Sequence, residues 1–297
     1  MLNRVLFLLS LPIVFFSCKE EKHVSDASGS FEAIETIVSA EANGKIMQFA
    51  VNEGDTLNEG QFLGYLDSTQ LHLNKLQLLQ SRKTILSARP DVQVQLKSTK
   101  RELDEAMLDK TRIENLVKGG VASQKQLDDI NSKIAVLNSR LEAQQSSLRT
   151  TTVNIDEQGN NVYTQLSILD DQLKKCRIVN PVKGTVLVKY AEPNEMASVG
   201  KPLYKIADLS SIILRAYVTG DQLPQIKLNQ NVKVLTDDGK GGYHEGQGVI
   251  NWISNTAEFT PKTVQTKNER ANLVYAVKVM IPNDGRYKIG MYGEIKL

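Results

Sequence analysis

The chain has 297 residues, a formal net charge of +2, 41% hydrophobic and 24% charged residues. Its basic residues are spread along the chain, which argues against a nucleic-acid-binding protein. The three histidines and two cysteines lie too far apart to suggest a metal site or a disulfide framework. No glycine-rich phosphate loop and no Ser-His-Asp arrangement is suggested. We therefore expect a protein that is not an enzyme and holds no cofactor or metal.

Residues 1–17 have the pattern of a secretory signal peptide. The apolar run at residues 5–16 is too short to cross a bilayer. Ser17 directly before Cys18 resembles a bacterial lipoprotein cleavage site, although two phenylalanines stand where Leu and a small residue are commoner. We predict that Cys18 becomes the lipidated N-terminus; the alternative is an ordinary signal peptide with an accidental cysteine. The polar, serine-rich residues 18–30 are predicted to form a flexible tether.

Residues 68–176 are predicted to form one long helical hairpin with its tip at Gly119-Gly120. A narrow apolar seam in steps of three and four persists for four heptads per arm, which indicates a coiled coil. Ser123 can N-cap the second helix, with Gln126 completing a capping box. About fifty residues per arm at 1.5 Å each predict a rod of roughly 75 Å. The seam comprises Val92, Leu96, Thr99, Leu103, Ala106, Lys110, Ile113 and Val117 on the ascending arm, and Leu127, Ile130, Ile134, Leu137, Leu141, Gln144, Leu148, Thr151 and Ile155 on the descending arm.

A joint is predicted within the hairpin. Pro90 interrupts the ascending arm and pushes Arg89 out of helical geometry. Residues 154–161 are rich in Asn, Asp and Gly, which favour helix poorly, and predict a break in the descending arm. The two breaks lie at comparable distances from the tip, so we expect them to face each other.

Residues 31–67 and 177–208 flank the hairpin and share one layout. Each has a glycine followed by a strand, an acidic turn, and a second glycine followed by a strand. Each segment is too short for a core of its own, so we expect the two to fold together as a sandwich. Residues 209–297 contain short strands separated by turns and suit a small antiparallel barrel.

The two flanking segments are similar to a known module. The stretches "GKIMQFAVNEGDTLNEGQFLGYLD" and "NPVKGTVLVKYAEPNEMASVGKPLYKIADL" resemble the half-motifs of a biotinyl/lipoyl-like domain. Such a domain split by a coiled-coil hairpin resembles the periplasmic adaptor, or membrane fusion, family of bacterial efflux and secretion systems (HlyD-like). The resemblance implies an elongated α+β fold, with a lipoyl-like β-sandwich split by the helical hairpin and followed by a small antiparallel β-barrel.

The resemblance also implies a role and partners. The protein would link an inner-membrane transporter to a TolC-like outer-membrane channel, anchored by its lipid in the periplasm of a Gram-negative bacterium. It would associate with itself into a ring, a hexamer by family resemblance. The run at residues 257–262 and "ARPDV" at the joint resemble the branch that serves ABC-type exporters, whose permease and ATPase are other chains. We expect no full membrane-proximal domain after the barrel, which also favours that branch.

Two other functions stay open from the sequence. One is an adaptor for a proton-driven exporter of the resistance-nodulation-division (RND) type. The other is a coiled-coil scaffold lipoprotein with no part in transport. Neighbouring genes for an ATPase and a permease would separate these alternatives from the ABC-type adaptor.

The hairpin tip carries the candidate site. Arg112, Leu116 and Ser123 match the adaptor pattern of Arg, three residues, Leu, six residues, Ser. By resemblance these positions dock onto TolC-like channels, with the guanidinium as a hydrogen-bond donor and Leu as an apolar contact. The alternative is that Arg112 is a solvated helix residue, Leu116 packs beside the seam and Ser123 caps a helix.

Overall fold

The computed structural model describes residues 25–259 and 273–297, which form two compact units. One unit contains Thr36–Ile206; the other contains the described residues before Thr36 together with those of Ala207–Leu297. The predicted signal peptide, Cys18 and residues 260–262 of the exporter-associated run lie outside the described residues. Within the part described, no helix combines the length and apolar character needed to span a bilayer.

The secondary structure comprises three α-helices, one short 3-10 helix and fifteen strands in the described parts of the chain. The helices are α1 (Thr69–Ser87), α2 (Val92–Lys118) and α3 (Gln124–Lys175), with the 3-10 turn at Leu223–Gln225. The strands are β1 (Ala27–Glu32), β2 (Glu35–Ser39), β3 (Gly44–Phe49), β4 (Thr56–Leu57), β5 (Phe62–Leu66), β6 (Arg177–Val179), β7 (Gly184–Lys189), β8 (Met196–Ala197), β9 (Pro202–Ala207), β10 (Ser211–Thr219), β11 (Asn231–Asp237), β12 (Tyr243–Ile253), β13 (Glu258–Phe259), β14 (Leu273–Pro282) and β15 (Tyr292–Lys296).

The two segments that flank the hairpin form one sandwich of two four-stranded sheets. The strand orders are β2-β9-β7-β4 and β6-β5-β3-β8, so each sheet takes strands from both segments. Neither segment can therefore complete a sheet alone. The side chains of both segments share one core, which includes Ile46, Leu63, Leu66, Leu203 and Ile206.

A buried polar residue joins the two segments of the sandwich. The side-chain amide of Asn180 donates to the carbonyl oxygens of Asn58, at 2.8 Å, and of Val182, at 2.6 Å. Its carbonyl oxygen accepts from the Tyr204 hydroxyl at 2.8 Å. Because Asn180 and Tyr204 are fully buried, these bonds satisfy polar groups that would otherwise destabilise the core.

The helical hairpin packs along the predicted seam. The first arm consists of α1 and α2, and the second is α3, whose 52 residues span about 78 Å. The buried or half-buried seam residues in the upper part include Leu96, Thr99, Leu103, Ala106 and Ile113 on α2, and Leu127, Ile130, Ile134, Leu137 and Leu141 on α3. Below them, α1 packs against a part of α3 that buries Val162, Leu166 and Leu169.

The predicted joint is present in one arm only. The ascending arm breaks between Ser87 and Val92, and Asp91 caps the new helix by accepting from the Val94 amide. The expected break at residues 154–161 is wrong, because α3 is continuous there. Helix propensity is a weak preference that packing overrides. Here Arg89 at the break forms an ion pair with Asp156 on α3.

The remaining strands form a closed antiparallel barrel, as predicted. Its order is β10-β1-β15-β11-β12-β14, and β14 pairs again with β10 to close it; β13 extends the edge beside β14. The interior is filled by apolar side chains from alternate strand positions, among them Ile212, Leu214, Val234, Ile250 and Ile295.

Strand β1 belongs to the barrel, and this corrects two predicted boundaries, the end of the tether and the start of the sandwich. Residues 27–30 were expected to be tether and residue 31 to begin the sandwich, but β1 pairs with both β10 and β15. Residues 27–30 have the small, polar composition of a linker, but at Gly29 the small residue is needed for strand packing. A Cβ on Gly29 would lie 1.8 Å from the Arg215 carbonyl oxygen. Phe31 fills the barrel core and stacks on Tyr287, with ring centroids 4.9 Å apart.

Candidate docking site at the hairpin tip

The end of α2 is closed by two glycines. Gly120 has a φ of 73°, in the left-handed region that glycine adopts most easily. The Gly120 amide donates to the Val117 carbonyl and the Val121 amide to the Leu116 carbonyl, both at 3.0 Å. These two bonds are the pair that defines a Schellman motif, so the chain leaves α2 in a fixed direction.

The start of α3 is fixed two residues later. The Gln126 amide donates to the Ser123 hydroxyl oxygen, and the Ser123 amide donates to the Gln126 side-chain oxygen at 2.9 Å. This is the predicted capping box, and it satisfies backbone donors that begin the helix. Only Val121 and Ala122 lie between the two closed helix ends, so the turn is short and tightly defined.

The three residues of the predicted docking pattern all lie at this end of the hairpin. Arg112 and Leu116 are four residues apart on α2 and therefore share a face. The Arg112 side chain is 75% exposed, and its guanidinium contacts Asp109 at 3.3 Å. Leu116 is 41% exposed although it borders the seam. Ser123 is exposed and also caps α3, so capping and surface contact are compatible at this position.

The tip also exposes residues that the sequence pattern did not single out. Val121 is 78% exposed at the turn. Lys118 and Lys125 are exposed on either side of it, and no acidic residue occurs between Asn115 and Leu127. The signal for Val121 was available in the sequence, since an apolar residue directly follows the glycines that end the helix.

The split sandwich, helical hairpin and barrel were compared with known protein families, sequences and structures. No family model matches the chain. Proteins named "UPF0194 membrane protein" from Acidithiobacillus ferridurans and Citrobacter koseri are each 25% identical to it, over 89% and 86% of this chain and 83% and 82% of their own length. The solved structure of the membrane fusion protein Spr0693 from Streptococcus pneumoniae R6 matches with a TM-score of 0.51 and 16% identity, covering 91% of this chain and 96% of that chain. The chain has the fold of a membrane fusion protein.

This membrane fusion fold confirms the predicted class of split sandwich, helical hairpin and barrel. The connection between the two half-motifs of the sandwich also differs from that of a lipoyl-type carrier domain. In a carrier domain a modified lysine lies on the turn between the two half-motifs, here between β5 and β6. In this membrane fusion fold that turn is replaced by α1, α2 and α3, so the connection serves as a long arm with an exposed tip.

Proposed function

We propose that the protein is a lipid-anchored periplasmic adaptor of a tripartite efflux or secretion pump. It would link an inner-membrane ABC-type exporter to a TolC-like outer-membrane channel and would itself be non-enzymatic. The observation that carries this proposal is the split sandwich whose connecting hairpin ends in an exposed, tightly closed tip. Such an arm supplies reach and a contact surface rather than a chamber for a substrate.

The tip geometry supports docking at Arg112, Leu116 and Ser123. An exposed guanidinium can donate to carbonyl or carboxylate oxygens of a partner, and a half-exposed leucine beside it can supply an apolar contact. Each contact is small. A ring of protomers, six by family resemblance, would add them through avidity, so a loss of about 1–2 kcal/mol per tip would be multiplied.

The choice of an ABC-type partner rests on sequence similarity at the joint and in the barrel. The "ARPDV" stretch, which contains Pro90 and connects α1 to α2, resembles the ABC-exporter branch. An RND-type exporter and a scaffold role are the alternatives. Cross-linking in native membranes followed by pull-down separates them: ABC permease and ATPase subunits support the proposal, whereas an RND permease supports the first alternative.

The docking part of the proposal is tested by placing an acidic residue at each of two tip positions. Arg112→Asp and Leu116→Asp should reduce export and co-purification of the outer-membrane channel, while expression, helicity and ring assembly persist. Lys100→Asp and Leu108→Asp on the shaft are matched controls, since both residues are exposed on α2. Tip variants that export and co-purify as well as these controls would exclude the tip as the docking site.

A further inference from the structure

The tip turn contains an apolar side chain that its own fold does not require. In a Schellman motif the residue after the left-handed glycine often packs against the residue three positions before the cap, here Val121 against Leu116. That packing would bury Val121, yet the residue stays 78% exposed. The hydrogen bond that closes the turn uses only the Val121 amide, so a polar side chain would serve the fold equally well.

The charge at the tip also departs from what helix stability favours. The first turn of α3 has no acidic residue, and Lys125 stands there beside the positive end of the helix dipole. A cation at this end is unfavourable, whereas Lys118 in the last turn of α2 is favourable. Departures from local rules concentrate at functional sites, which draws attention to Lys125 and Val121 together.

The exposed residues form an arrangement typical of a binding centre. Two exposed apolar residues, Leu116 and Val121, lie at the turn, and exposed cationic residues precede and follow them in the chain at Arg112, Lys118 and Lys125. Interfaces commonly combine an apolar centre with a polar rim. The ionisable residues between Asn115 and Leu127 are all basic, and the acidic residues nearest in sequence, Glu114 and Asp128, lie beyond the two ends of the turn.

We infer that Val121 and Lys125 are further specificity determinants of the tip, and that the tip recognises an apolar groove edged by carboxylates. This inference rests on the proposed function, in which the groove belongs to the periplasmic end of the TolC-like channel. Val121 enters the groove beside Leu116, and Lys118 and Lys125 contact its acidic edge. Complementary charge would select the partner, and the apolar pair would slow its dissociation.

The test measures binding of the full chain to a purified TolC-like channel from the same genome, held in detergent. Val121→Ser should weaken binding by about tenfold at both low and high salt, because the lost contact is apolar. Val136→Ser is its control, since Val136 is also a well-exposed valine, on the shaft of α3, at 67%. A Val121→Ser variant that binds as tightly as Val136→Ser would overturn the apolar contact.

Lys125→Glu separates recognition from stability, because only recognition should change. A glutamate in the first turn complements the helix dipole, which offsets its repulsion from Asp128 and Asp129 one turn further on, so helix stability should be maintained. Binding should instead fall by about tenfold at low salt and by less at high salt, where charges are screened. Lys133→Glu, an exposed position further along α3, is the control. Equal affinities of Lys125→Glu and Lys133→Glu would overturn the cationic rim.

The unmodified chain distinguishes this inference from the proposed function. If it binds the channel and the tip variants bind equally well, docking stands and the assignment of Val121 and Lys125 is wrong. If the unmodified chain does not bind the channel at all, the proposed docking function fails and the inference fails with it.

Discussion

Thr99 on α2 and Gln144 on α3 meet across the hairpin: the threonine hydroxyl donates to the glutamine side-chain oxygen at 2.8 Å. Thr99 is only 2% exposed, and both residues occupy polar positions of a mostly apolar seam. A sliding of one helix against the other would leave the buried hydroxyl without this partner. The pair therefore favours one register of the two arms, as buried polar residues do in other coiled coils.

Gln144→Leu should lower the free energy of unfolding of the hairpin by about 1–3 kcal/mol, because it leaves a buried hydroxyl without its partner. The double variant Thr99→Val with Gln144→Leu should recover most of that loss, since no polar group is then stranded. Thermal unfolding followed by far-UV circular dichroism measures both. Gln145→Leu, at the neighbouring exposed position, is the control. A loss of similar size in Gln145→Leu would show that the cross-hairpin bond is not the cause.

Gly159 lies in the middle of α3 beneath α1, and a Cβ at this position would stand 2.9 Å from Leu86 Cδ2. Gly159→Leu should therefore force the two helices apart and destabilise the hairpin by about 1–3 kcal/mol, although leucine is the better helix former. Asn160→Leu, one exposed position further on, should not destabilise it. Adding Leu86→Ala should restore part of the stability of Gly159→Leu. No rescue by Leu86→Ala would contradict the steric explanation.

The sandwich should fold without the hairpin. Strands β5 and β6 are antiparallel neighbours with Tyr65 opposite Arg177, and the Leu66 amide donates to the Cys176 carbonyl at 2.8 Å. A short turn in place of residues 69–175 would therefore connect two strands that already pair. Cys176 should be retained, because it is buried in the sandwich core. We expect a soluble chain with a cooperative thermal transition in calorimetry; the absence of any transition would contradict this prediction.

Tyr204 should make the sandwich sensitive to alkaline pH. Burial raises the pKa of Tyr204 above its usual value of about 10. The unfolded chain therefore loses this proton first, and the stability contribution is complete below about pH 10 and declines as pH rises toward the folded-state pKa. Tyr204→Phe should cost about 1 kcal/mol at neutral pH, through the lost bond to Asn180, and remove this part of the alkaline decline. Denaturant unfolding across pH, with half-exposed Tyr190→Phe as control, measures both effects.

Lipidation at Cys18 is a separate prediction, since this residue lies outside the described part of the chain. Metabolic labelling with palmitate should mark the unmodified protein and not Cys18→Ala. The lipid should also hold the protein in the membrane fraction, because several acyl chains make a firm anchor. Equal labelling of the two proteins would exclude Cys18 as the lipid-bearing residue.

The sequence alone was sufficient where local patterns determine structure. The seam from Leu96 to Leu141 follows from heptad spacing, because only a regular helix keeps such positions on one side. The tip follows from Gly120 and Ser123, whose preferences for a left-handed cap and an N-cap act over a few residues. The docking pattern at Arg112, Leu116 and Ser123 was likewise legible from spacing, and its role stays a proposal.

The tertiary structure decided what depends on contacts between distant residues. Residues 27–30 have the composition of a linker, but pairing with β10 and β15 makes them a strand, since Gly29 permits close approach of the neighbouring backbone. Residues 154–161 have weak helix propensity, yet α3 is continuous through them. In this stretch Gly159 packs against Leu86 and Asp156 forms an ion pair with Arg89. The exposure of Val121 likewise depends on how the whole turn is closed. Helix and strand propensities depend on a residue and its neighbours in sequence. Packing between distant residues determines which of these weak preferences are overridden.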